Sequence, residues 1–88
     1  MSEKYYLYRI TEDGDASIYG QFESLSMAKM SASLLLIKDF CFILDENVSK
    51  IYFYDQESGW YCDIFSSDGR VEFLETYPSP KEYHCAVE

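Results

Sequence analysis

Cysteine and histidine are the side chains of this 88-residue chain best suited to nucleophilic or metal chemistry, and their placement argues against both. The single histidine, His84, adjoins Cys85 in "YPSPKEYHCAVE". Neighbours in an extended segment point apart, so no thiolate–imidazole pair is expected there. Cys41 and Cys62 lie in apolar, strand-like runs and read as inert core thiols. Three widely spaced cysteines without a C-x-x-C pair fit reduced thiols in the cytoplasm. Acids offer many pairs for general acid–base work, but none is flanked by a pocket-forming motif. "DGDAS" opens like a calcium-binding helix–loop–helix loop. That loop needs glycine at its sixth position and glutamate at its twelfth; counted from Asp13 those positions hold Ile18 and Ser24. No glycine loop cradles a phosphate. The expectation is therefore no catalytic residue, no metal site and no cofactor.

Charge says more. Sixteen acids against seven bases give a net charge of −9, which repels nucleic acid and anionic membrane and steers encounter with basic surfaces. No run of 18 apolar residues is present, so no membrane span is expected. "MSEKYYLYRI" lacks the layout of a secretory leader and reads as mature cytoplasmic protein. Nearly half the residues are apolar, ample for one packed domain over residues 1–77, with 78–88 as a loosely ordered tail carrying both prolines.

The elements that position these side chains follow from period and punctuation. "KYYLYRI" is strand-like, and Asp13-Gly14 in "TEDGD" is a hairpin signal because glycine and aspartate tolerate positive φ. "ASIYGQFE" alternates, placing Ile18, Gly20 and Phe22 on one face and Ser17, Tyr19, Gln21 and Glu23 on the wet one. Ser24 or Ser26 caps a helix through "LSMAKMSASLLLIKD", with Leu25, Ala28, Ala32, Leu35 and Asp39 at helical spacing. Met27, Met30, Leu34 and Ile37 widen its apolar arc beyond one stripe, so it is covered on two sides or meets a partner. "FCFIL" reads as a short buried strand or a continuation of the helix. "KIYFYD", "GWYCDIF" and "RVEFLE" read as a meander, the last two separated by a second Asp-Gly turn in "SSDG". Alternation turns Ile51, Phe53, Trp60, Cys62, Ile64, Val71 and Phe73 inward. The fold expected is α+β, in the order β-β-α-β-β-β, an antiparallel sheet with one helix packed on one face.

One helix leaves the other sheet face open, and that face would carry Tyr19, Tyr52, Tyr54 and Tyr61 with Asp63 and Glu72. The first strand is ambiguous: either Tyr6, Tyr8 and Ile10 or Tyr5, Leu7 and Arg9 face in. Tyrosine gives large contact area at small entropy loss, and flanking carboxylates would pair with Arg or Lys on a partner. Acids cluster at Glu12, Asp13 and Asp15; at Asp45 and Glu46; at Asp55 and Glu57; and at Glu72 and Glu75. On one strand face they would repeat about every 6.6 Å, an imitation of a phosphate row. The candidate partner-binding residues are Tyr52, Tyr54, Tyr61, Asp63 and Glu72, with Glu12, Asp13 and Asp15 on the first turn. Cross-strand tyrosine pairs also stabilise an open face without any partner.

"FESLSMAKMSAS" (Phe22 to Ser33) and "SSDGRVEF" (Ser66 to Phe73) resemble the helix entry and closing turn of compact β-β-α-β-β anti-CRISPR proteins, small inhibitors encoded by phages and mobile elements. The resemblance covers about two thirds of the chain. It implies a stoichiometric inhibitor of a nuclease complex, without catalysis of its own. The acidic balance departs from the basic members, so no contact residue is carried over. The function expected is a non-enzymatic acidic inhibitor that blocks a basic, nucleic-acid-handling protein such as a nuclease or CRISPR effector component. The alternatives are an immunity protein against a nuclease toxin, or a self-associating structural or regulatory subunit.

Overall fold

Aromatic and aliphatic residues without a breaker make Tyr5–Ile10 the first strand, β1, in a computed structural model that describes residues 4–36 and 40–82. Ala16–Phe22 returns as β2, followed by helix α1 at Leu25–Leu35 and strands β3 (Phe40–Asp45), β4 (Lys50–Asp55) and β5 (Gly59–Ile64). A second helix, α2, spans Ser67–Thr76, and a 3-10 turn covers Pro80–Glu82. The five strands form one antiparallel sheet in the order β2-β1-β3-β4-β5. Because β2 and β3 flank β1, the connection through α1 crosses one face of the sheet. The class is therefore α+β, and the order is β-β-α-β-β-β-α, with "FCFIL" a strand and "RVEFLE" in the closing helix. The expected single helix is corrected to two.

The correction lies in "RVEFLE", which is α2 and not a strand. Ser66 is its N-cap, its hydroxyl accepting from the Gly69 amide at 3.0 Å, and Asp68 adds negative charge at the helix's positive end. Gly14 does take the positive φ of a turn, at 88°, whereas Asp68-Gly69 forms the first turn of a helix. Phe73 faces the sheet, while Val71, expected inward, is exposed. Helix α1 starts as expected at Ser24, whose Oγ accepts from the Met27 amide at 3.2 Å. Its continuation through Ile37, Lys38 and Asp39 lies outside the described residues, as do His84 and Cys85.

Each helix closes its own core. Under α1, Ala28 and Ala32 are fully buried against Leu7, Cys41 and Ile43, with Tyr52 and Trp60 at the margin. Under α2, Tyr6, Tyr8, Phe42, Leu44, Val48, Ile51 and Phe73 form the second cluster. Both residue sets of β1 are thus used, one on each face, which resolves the ambiguity of that strand. Tyr8 also donates its hydroxyl to the Pro78 carbonyl, and Pro80 is buried, so the first residues of the expected tail pack on the domain.

A bulge between Leu7 and Tyr8 shifts the pairing with β2: Ile18 opposes Tyr8, but Gly20 opposes Leu7. Ile18 therefore lies on the α2 face and Gly20 and Phe22 on the α1 face, correcting the single face expected for all three. Asp45 is not a surface acid. It is buried and caps the β3–β4 turn, accepting from the Ser49 amide (2.8 Å), the Ser49 hydroxyl (2.6 Å) and the Lys50 amide (2.7 Å). That turn holds Val48 at a φ of 55°, a conformation costly for a β-branched residue, and drives its side chain into the α2-face core.

Candidate protein-binding surface

Strand direction decides where the acidic turns sit. β1 runs toward the end of the sheet at which the β1–β2 turn opens, and β4, pointing the same way, reaches that end at the β4–β5 turn. Glu12, Asp13 and Asp15 on the first turn and Asp55 and Glu57 on the second are all exposed. The two hairpins are three strand spacings apart, about 14 Å, with the start of β3 between them. Lys50, at the start of β4, and Lys4, next to the start of β1, lie toward the opposite end. Asp55 is only partly available, since its Oδ1 accepts from the amides of Glu57 (2.7 Å) and Ser58 (3.3 Å).

The tyrosines do not share one face. Register pairs Tyr52 with Cys62, Phe53 with Tyr61 and Ile51 with Asp63. Tyr61 and Asp63 therefore lie on the α2 side with Ile51 and Phe53, while Tyr52 and Tyr54 lie on the α1 side with Trp60, Cys62 and Ile64. The expected common face of Tyr52, Tyr54, Tyr61 and Asp63 is corrected accordingly. Sequence alternation defines two sets in each strand, but only the pairing tells which sets coincide. Tyr19 sits at the β2 bulge and is exposed. Cys62 and Ile64, expected inside, are exposed because α1 lies over β1, β2 and β3 and meets β5 at Trp60, near the start of that strand.

On the α2 side, exposed rings mark the end of the sheet that carries the acidic turns. Phe40, Phe53 and Tyr61 form a ledge there, with ring centroids 6.2 Å apart for the first pair and 5.5 Å for the second. Phe40 is 48% exposed and Tyr61 46%. Phe40 was not among the expected site residues; its apolar run signals burial, and only the end of the sheet exposes it. Glu72 is on a helix and not on the sheet. It stands on α2, beside an open groove of about 400 Å³ with Phe65, Gly69, Phe73, Thr76 and Tyr77.

On the α1 side, Tyr54 and Trp60 pack edge to face at 5.5 Å, and the Lys29 ammonium lies 5.9 Å from the Trp60 ring. Tyr52 is half-buried with Tyr5 at 6.3 Å. Burial, helped by the adjacent Cys62 thiol and Tyr5 phenol, pushes the Tyr52 phenol up to about 12. Half-buried, Tyr52 offers a partner less surface than the exposed Tyr54 and Tyr61.

Among the described residues, no three His, Cys, Asp or Glu side chains are grouped to hold a metal ion, and no helix is long and apolar enough to cross a membrane. No protein-family model, curated protein or solved structure matches the chain.

Proposed function

We propose that the protein is a non-enzymatic inhibitor that binds and blocks a basic, nucleic-acid-handling protein, such as a nuclease or CRISPR effector component, in the manner of anti-CRISPR or anti-restriction proteins. One observation carries this reading: both acidic hairpin turns open at the same end of the sheet, about 14 Å apart, beside the exposed rings of Phe40 and Tyr61. Carboxylates held on short turns steer a basic surface at long range, and rings supply contact area once it docks. An immunity protein against a nuclease toxin would use the same chemistry on a different target.

Capture of partners on the tagged protein, washed at rising salt, identifies the target. Replacing Glu12, Asp13 and Asp15 together by Lys is expected to slow association with it by at least about tenfold and flatten the salt dependence. Unchanged association would remove the first turn from the site. A second reading has its own observation: Met27, Met30 and Leu34 form an outward stripe on α1, 53%, 71% and 76% exposed, in a helix without any acid. Recovery of only the protein's own copies, with mass rising with concentration, would favour the self-associating subunit.

A further inference from the structure

We infer that the free edge of β5 receives one extended segment of a basic protein, added as a sixth strand; this rests on the basic-partner reading and names the element that receives the partner. The sheet has two edge strands, β2 and β5. β2 is interrupted by its bulge, a device that twists an edge away from further pairing. β5 pairs with β4 through all six residues in unbroken register, and among the described residues nothing pairs with its other side. Such an edge presents a row of backbone donors and acceptors, a template for an incoming strand. "GWYCDI" contains no proline or lysine to block it, and Tyr61, Cys62, Asp63 and Ile64 are all exposed.

Charge and alternation select the occupant. A second copy of a −9 chain would bring Asp63 and the nearby turn acids against their own kind. A basic strand would meet Asp63 on the α2 side. Its alternate residues would then fall on the α1 side, against Trp60 and the Ile64 side chain, which is 77% exposed. A segment alternating basic and apolar residues satisfies both faces at once.

The test uses the full chain, isotope-labelled for amide NMR, and a synthetic peptide of about eight alternating Lys and Val residues. β5 amides are expected to shift and to exchange more slowly on titration. N-methylation of the peptide on one set of alternate residues should abolish binding, and on the other set should not. Asp63→Lys should weaken binding by at least about tenfold, while Glu23→Lys, an equal charge change beside the opposite edge, should not. Shifts confined to the two acidic turns, or tolerance of N-methylation in both phases, would overturn the added strand and leave the basic-partner reading standing. Failure of both this peptide and a proline-interrupted isomer to bind anywhere would overturn both. Protection of β5 without peptide, rising with protein concentration, would give the edge to a second copy and also overturn the proposal.

Discussion

The two faces of one sheet are closed by opposite means. Under α1 the contact is made by small residues: Ala28 and Ala32 bring the helix backbone close to Leu7, Cys41 and Ile43. Under α2 the gap is filled by rings, with Tyr8 and Phe42 stacked at 4.9 Å and Phe73 set edge-on to both at 5.8 Å. Tyr77 closes the stack, 4.7 Å from Phe73. A close-packed face fails when a side chain grows, and a ring-filled face fails when one shrinks. On β5, α1 meets Trp60, near the start of the strand, through Lys29, while Tyr61 to Ile64 are exposed, and that stretch carries the proposed interface.

The largest effect expected is therefore on the ring-filled face. Phe42→Ala should lower unfolding stability by about 3–5 kcal/mol in denaturant titration, because five other rings lean on it. On the other face, Ala32→Leu should cost about 1–3 kcal/mol by overpacking, and a cost near zero would mean that α1 is not seated close to the sheet.

Next comes the turn that delivers Val48 to the ring-filled face. Asp45→Ala should cost about 1–3 kcal/mol by leaving two amides and a hydroxyl without their acceptor. Burial pushes the Asp45 carboxyl up, but the bonds from the Ser49 hydroxyl and the Lys50 and Ser49 amides outweigh it and hold it below 3.8. A depressed carboxyl contributes its stability fully above its unfolded value and loses it as pH falls through the folded value. The gap between wild type and Asp45→Ala should thus be constant above about pH 5 and shrink below 3.8; a gap that widens on acidification would contradict the assignment. The smallest effects belong to the helix caps, Ser24→Ala and Ser66→Ala, each about 1 kcal/mol. Equal losses would show that α2, despite its poor helix pattern, depends on its cap as α1 does.

Much of the local structure was legible because short-range chemistry enforces it. Asp13-Gly14 between two alternating runs made a hairpin, and Ser24 before an Ala-rich stretch made a helix start. "RVEFLE" misled because Val71 and Phe73 fit a period of two, while the helical signal, Phe73, Leu74 and Tyr77 after a Ser66 cap, extends past the run itself. Of the site residues, Glu12, Asp13 and Asp15 could be placed from the turn alone. Tyr52 and Tyr61 could not, since their faces depend on a hairpin whose loop is Gln56, Glu57 and Ser58 and whose Gly59 sits at a φ of 81°.

By itself, then, the amino-acid order set the charge of −9, the acidic turns, the cap of α1 and the strand character of β1, β2 and β4. Those depend on neighbours a few residues away. Tertiary structure decided which tyrosines share a face, that Asp45 is buried as a turn cap, and that β5 lies open at the edge. These depend on strand register and on where the two helices stop, and a one-residue slip in pairing would exchange every side chain between the two faces.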